Sequence, residues 1–119
     1  MAFAGGLGAR VFLGQVPGEG ARKNADASPE TVVRLFSESN TRFLCEVRPE
    51  LTEAFESALA GIPCALVGEV VDTGRLEIVG LPSSPTGGAP EAIDEATAPL
   101  VVNVDLATMK EAWQAPLRW

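Results

Sequence analysis

The stretch that decides the fold is ALVGEVVDTGRLEIV, residues 65–79. Two apolar runs, 65–71 and 75–79, flank the sequence DTG at 72–74, where glycine suits the positive-φ position of a tight turn. Runs of this composition around a short polar turn are typical of a β-hairpin. The sequence therefore predicts a sheet at the centre of the fold.

Three further segments, residues 9–13, 41–47 and 100–104, have the composition of strands. In the second of them, alternate residues from Phe43 to Val47 are apolar, which is the period of a strand with one buried face. The third is a short continuous apolar run. These segments predict additional strands beside the hairpin.

Helices are predicted at three places between the strands. Residues 30–36 follow Ser28, which suits an N-cap, and Pro29, which suits the first helical position. A second helix opens at Pro49 and ends at Gly61, and a third follows a cap at Asp105. The apolar stripe of the second helix consists of Leu51, Ala54, Phe55, Ala58 and Leu59, and its solvent side carries Glu50, Glu53 and Glu56.

Strands and helices in this order predict an α+β fold, a mixed β-sheet with helices packed on it. A chain of 119 residues fits one domain, so residues 1–119 are predicted to form a single domain. Residues 14–28, with Gly14, Pro17, Gly18 and Gly20, are predicted to be a long loop. Residues 80–98 have no periodicity and are rich in small and turn-forming residues, so they are predicted to be a long loop or a disordered insertion.

Composition excludes several classes of function. Nine basic and sixteen acidic residues give a net charge of −7, which argues against nucleic acid or an anionic membrane as a partner. The chain has no histidine, so Ser-His and Cys-His catalytic pairs and His-ligated zinc are absent. Cys45 and Cys64 are expected to be buried free thiols in a reducing cytoplasm. No signal peptide or membrane span is predicted.

The glycines at 5, 6 and 8 do not form a phosphate-binding loop. Such a loop follows a strand and opens a helix, whereas these glycines precede a strand and lack the Lys-Ser/Thr ending. They are interpreted as the stop of a helix, so the chain is expected to begin where a helix ends. Either the protein has an unusual start, or a segment upstream of it is missing. No metal-binding motif and no catalytic residue is predicted.

A polar island lies between the first predicted helix and the strand that follows it. It contains Ser37, Glu38, Ser39, Asn40 and Arg42. Such side chains can end a helix and form a turn. They can also bind a hydroxylated or phosphorylated ligand, because they supply neutral donors, an acceptor and a forked cation. Both interpretations remain open on the residues alone.

Four segments, in order, resemble the C-terminal end of the synthetase subunit of the phosphoribosylformylglycinamidine synthase family. They are AFAGGLGA, LFSESNTRFL, GIPCALVGEVVDTGRLEI and DLATMKEAWQAPLRW. The resemblance covers nearly the whole chain apart from the two predicted loops. It implies a fold like the C-terminal domain of aminoimidazole ribonucleotide synthetase, to which the family is similar.

The resemblance also implies a place in purine biosynthesis. The family uses ATP and Mg²⁺ to activate an amide oxygen of its ribonucleotide substrate, and ammonia from a glutaminase then forms the amidine. Its synthetase subunit has two pseudo-symmetric halves, each with an ATP-binding domain and a C-type domain, and this chain resembles the second C-type domain. The implied partners are the ATP-binding half of the synthase, a second copy of this chain in a homo-oligomer, and a glutaminase subunit.

The family's first C-type domain contacts substrate through a Ser-Glu-Ser-Gln string. Ser37, Glu38, Ser39 and Asn40 are its counterpart here, and with Arg42 they are the candidate substrate-binding residues. The resemblance implies a cytoplasmic chain that binds no cofactor by itself and does not catalyse the reaction alone. The alternatives are a stand-alone ligand-binding or regulatory module, or a structural oligomerisation unit.

Overall fold

Four strands form one mixed sheet in the computed structural model, which describes residues 5–17, 27–37, 42–81 and 98–117, without the side chains of 27–29. The strands are β1 (Gly8–Phe12), β2 (Gly68–Val71), β3 (Arg75–Val79) and β4 (Leu100–Asp105). Their order is β2-β1-β3-β4, with β1 antiparallel to β2 and parallel to β3, and β3 antiparallel to β4. The predicted α+β class and mixed sheet are confirmed.

The predicted hairpin between residues 65–71 and 75–79 is wrong. Both segments contribute strands joined by a turn with Gly74 at φ 63°, but β2 and β3 do not pair with each other. β1 lies between them, so the turn spans two inter-strand spacings, about 10 Å. The backbone N–H of Leu106 donates to the carbonyl of Gly74 at 3.0 Å and ties the turn to the third helix.

Gly8 is the residue that lets β1 enter between its two neighbours. A Cβ at this position would lie against the Arg75 carbonyl and 2.6 Å from the Thr73 hydroxyl. Contacts this close do not occur with real Cβ atoms, so a side chain would force the turn away from the strand. The glycine cluster is predicted to end a helix, and Gly6, whose φ is 72°, fits this role.

The three helices are α1 (Ala27–Phe36), α2 (Thr52–Ala58) and α3 (Leu106–Gln114). α1 begins at Ala27, so the predicted N-cap at Ser28 is wrong. Pro29 falls in the first turn, where its missing N–H costs no intrahelical bond. The predicted cap at Asp105 is confirmed, because its carboxylate accepts from the N–H groups of Ala107 and Thr108 at 2.9 and 3.1 Å.

A 3-10 turn at Pro49–Leu51 opens α2, and the predicted stop at Gly61 has φ 90°. The predicted solvent side of α2 is confirmed, because all three of its glutamates are exposed. Its apolar stripe is not buried: Leu51, Ala54 and Ala58 are exposed, and Phe55 and Leu59 are half-buried. The stripe therefore has the predicted spacing but no covering surface among the described residues.

The predicted strand at 41–47 is wrong for the residues that the structure describes. Segment 42–48 belongs to no strand, because no described backbone group bonds to residues 42–47. The predicted strand at 65–71 is shortened in the same way, since β2 begins only at Gly68. An extended chain becomes a strand only when a neighbour completes its ladder of hydrogen bonds.

Little of the described chain is buried. Leu13 and Leu106 are the only buried hydrophobic residues there, and Thr31 is the buried polar one. The expected burial of Cys45 and Cys64 is wrong: both are exposed free thiols, and both lie outside the helices and strands of the described residues. Most of the predicted loops, 14–28 and 80–98, lies outside the described residues, and the single-domain assignment stays a prediction.

The two faces of the sheet differ in chemistry. Cross-strand partners point to the same face, so the register assigns each side chain to one side. One face carries a row of polar partners across the four strands: Glu69, Arg10, Glu77 and Asn103. The other is apolar and consists of Ala9, Val11, Val70, Leu76, Ile78, Val102 and Val104, none of which is buried.

Replacing Gly8 with Ala is expected to destabilise the fold by roughly 1–3 kcal/mol, the usual cost of overpacking. The added methyl would collide with the backbone of Arg75 as well as with the Thr73 hydroxyl, and the backbone cannot turn aside as a side chain can. Urea unfolding followed by circular dichroism measures the loss. Gly14→Ala is the control, since a Cβ there meets nothing within 4 Å, and equal midpoints for the two variants would contradict the account.

Candidate functional site

Arg34 fixes α1 to the end of β1. Its guanidinium donates to the carbonyl of Leu13 at 2.8 Å, in the 3-10 turn that follows β1. It also donates to the carbonyl of Val16 at 3.1 Å, just after that turn. It also pairs with Glu30, one helical turn earlier, at 2.8 Å. The forked guanidinium can serve both elements at once because its donors point in several fixed directions.

A second bond attaches α1 to the chain beyond β3. The N–H of Leu81 donates to the hydroxyl of Thr31 at 3.4 Å, and Thr31 is 7% exposed. Arg34 and Thr31 therefore hold the helix at two different points. Because α1 ends at Phe36, these two residues also set the place where the polar island begins.

The structure describes two of the five candidate substrate-binding residues. Ser37 follows α1, and its N–H donates to the carbonyl of Val33 at 2.8 Å. Arg42 opens segment 42–48, and both side chains are exposed. Glu38, Ser39 and Asn40 lie outside the described residues, so the predicted binding site stays a prediction.

Ser37 and Arg42 can act only as hydrogen-bonding groups in this arrangement. A hydroxyl and a guanidinium can bind an anionic or hydroxylated ligand, but neither supplies a general base near neutral pH. Within the described ranges, no group of three or more His, Cys, Asp or Glu residues could hold a metal ion. No helix in the same ranges is long and apolar enough to cross a membrane.

The polar face of the sheet carries two arginines bonded across strands. Arg10 on β1 pairs with Glu77 on β3 at 2.7 Å. Arg75 on β3 donates to the side-chain and backbone oxygens of Asn103 on β4, at 2.6 and 3.2 Å. These bonds connect β1, β3 and β4. Because both arginines are already bonded to neighbouring side chains, the row stabilises the sheet and does not form an anion site.

Sequence reasoning missed the anchoring role of Arg34. The only local signal was its position four residues after Glu30, a spacing that favours an ion pair on a helix. Arg34 bonds to Leu13, 21 positions away, and to Val16, 18 positions away, and the local sequence pattern does not predict these bonds. The tertiary role could be seen only in the structure.

The family described as "AIR synthase related protein, C-terminal domain" matches residues 1–81. The chain belongs to this family of C-terminal domains. The matched residues include all of β1, α1, α2, β2 and β3, together with the polar island. The expected resemblance is thereby confirmed at the level of the family.

Two curated relatives identify the proteins to which the chain is similar. One is the phosphoribosylformylglycinamidine synthase subunit PurL of Cutibacterium acnes, which is 38% identical over 80 residues. The other is the subunit of the same name from a Nocardioides species, also 38% identical over 80 residues. Each match covers 66% of this chain and 10% of the relative. The chain thus spans about a tenth of the relatives it matches, and no solved structure matches it.

Replacing Arg34 with Gln is expected to lower the free energy of unfolding by about 2 kcal/mol, because hydrogen bonds to a charged group are lost and two carbonyls lose their donor. Urea unfolding measures the difference. Arg42→Gln is the matched control, since Arg42 is exposed and should change stability by less than about 0.5 kcal/mol. A loss no larger for Arg34 than for Arg42 would contradict the anchoring role.

Proposed function

We propose that this chain is a C-type domain of a phosphoribosylformylglycinamidine synthase and works as a part of that enzyme, not as a catalyst by itself. The proposal is supported by the family match and by two relatives that carry this enzyme's name. The composition agrees with it, because a chain without histidine lacks the usual general base.

The observation that carries the proposal is the uncovered apolar surface. On the apolar face of the sheet Val70 is 47% exposed and the other side chains are half-buried, and large side chains elsewhere are more exposed: Phe36 by 76%, Phe43 by 84% and Leu66 by 73%. A soluble monomer rarely leaves this much apolar surface open, and such surface usually marks a protein contact. A domain that is covered by the rest of a large synthase accounts for it.

The area of the sheet face favours a partner that makes further contacts. Four strands at about 4.8 Å spacing, each about 16 Å long, present a face of roughly 300 Å². A stable complex commonly buries about 800 Å² on each partner. The face is therefore too small to hold two copies of this chain together by itself, and we propose the ATP-binding half of the synthase as the main partner.

The polar island would then lie at the border with that partner. Ser37 and Arg42 are exposed, and with Glu38, Ser39 and Asn40 they are proposed to approach the substrate only within the assembled enzyme. ATP and Mg²⁺ would be held by the partner. We also propose that a glutaminase subunit supplies the ammonia and that the chain is cytoplasmic.

A chimera tests this proposal. In the Cutibacterium acnes subunit, the stretch of 80 residues that matches this chain would be replaced by the matching residues of this chain. Amidine formation from added ammonia would then be measured with the substrate and ATP. The chimera is expected to keep activity within about tenfold of the parent, and a subunit lacking the stretch is expected to lose it. A chimera as inactive as the deletion would contradict the proposal.

The substitution Val70→Asp in the chimera tests whether a partner covers the apolar face of the sheet. Val70 lies on the apolar face but is 47% exposed, so the carboxylate is tolerated in the isolated chain and becomes costly only when a partner covers it. Activity is expected to fall by more than about tenfold. Glu69→Gln, on the neighbouring residue and the polar face, is the matched control and should keep activity. Equal activity in both would show that the apolar face is not covered in the enzyme.

A further inference from the structure

α1 turns apolar side chains away from the fold and polar ones toward it. Val32, Val33 and Phe36 are each more than half exposed, and both valines lie one helical turn before Phe36. Thr31, on the opposite side, is buried, and Arg34 is half-buried. A surface helix usually packs through its apolar side. α1 therefore depends on polar bonds for much of its attachment.

Arg34 supplies the stronger of the two attachments described above. Glu30 accepts from two of its guanidinium nitrogens, Nε at 3.3 Å and Nη2 at 2.8 Å, and so fixes the plane of the group. The third nitrogen, Nη1, points at the carbonyls of Leu13 and Val16, 2.8 and 3.1 Å away. The bond at Thr31 joins neutral groups and is longer, 3.4 Å. Because charged donors make shorter and stronger hydrogen bonds, Arg34 is the main anchor of the two.

Ser37 moves as part of α1, although it lies one residue past the end of the helix. Its N–H donates to the carbonyl of Val33 at 2.8 Å, which is the i to i−4 bond of an α-helix. Arg34 lies three residues before Ser37, so about 4.5 Å of helix separates the two. A rotation or shift of α1 relative to β1 is therefore carried to Ser37 over a short and rigid distance.

We infer that Arg34 is a positioning residue, which holds the hydroxyl of Ser37 in place for the substrate. This inference rests on the proposed function, in which Ser37 is a substrate contact of the assembled synthase. Arg34 itself is not a substrate ligand, because its three nitrogens are bonded to Glu30 and to backbone carbonyls. Misplacing a contact by about 1 Å weakens it strongly. The loss falls on substrate binding rather than on the chemical step, since Ser37 can only donate or accept a hydrogen bond.

Steady-state kinetics of the synthase chimera test the inference, with the exchange drawn to include β1 and α1 of this chain. Arg34→Gln is expected to raise the KM for the ribonucleotide substrate about tenfold, while kcat stays within about threefold. The KM for ATP is expected to stay unchanged, because ATP is proposed to be held by the partner. Arg34→Lys keeps a charged donor for the carbonyls and is expected to bring the substrate KM back to within about threefold of the parent chimera.

Arg10→Gln is the matched control. It removes an ion pair of similar length, to Glu77 at 2.7 Å, but this pair lies on the sheet and not on α1, so the substrate KM is expected to stay unchanged. Glu30→Gln weakens the orientation of Arg34 without removing its bonds to the carbonyls, and a rise in the substrate KM of about threefold is expected. This variant decides the matter if Arg34→Gln does not fold.

An unchanged substrate KM in Arg34→Gln, or in Glu30→Gln where Arg34→Gln does not fold, would overturn the inference while the proposed function stands. Equal rises in Arg34→Gln and Arg10→Gln would also overturn it, because they would indicate a general loss of stability. An Arg34→Lys variant no better than Arg34→Gln would overturn it too. A parent chimera without activity would instead contradict the proposed function, and the inference would fall with it.

Discussion

The fold depends on the insertion of β1 between β2 and β3. These two strands are joined by only three residues, 72–74, and would form a hairpin if β1 did not separate them. The insertion requires the backbone of Gly8 to pass against Thr73 and Arg75, where a side chain does not fit. Two other elements are placed relative to this arrangement: β4 pairs with β3, and α1 is fixed by Arg34 to the end of β1.

The same arrangement produces a sheet with one polar and one apolar face and very little core. Bonds from Arg10 to Glu77 and from Arg75 to Asn103 complete the polar face within the chain. Nothing comparable completes the apolar face, where the described residues bury none of its side chains. The proposed place within a larger synthase would account for this, because exposed apolar surface usually marks a protein contact.

Local signals in the sequence were enough where the interaction itself is local. The Asp105 cap and the glycine turn at Gly61 depend on neighbouring residues, and both were predictable. The strands at 75–79 and 100–104 pair with distant segments but were predictable from their apolar composition. The sheet order and the exposure of Cys45 were not, because they depend on which distant segment covers or separates each strand. The family was predictable from four segments in order, whereas the role of the polar island stays a prediction, since Glu38, Ser39 and Asn40 lie outside the described residues.

The central claim is that the isolated chain leaves a large apolar surface open to water. The heat-capacity change of unfolding measures it most directly, because apolar area that is already exposed adds nothing when the chain unfolds. A fully packed protein of this length would show about 1.4–1.8 kcal/mol/K. At concentrations where light scattering gives the mass of a monomer, calorimetry is expected to give clearly less, about half of that. A value in the ordinary range would contradict the account, since it would require a core that the described residues do not form.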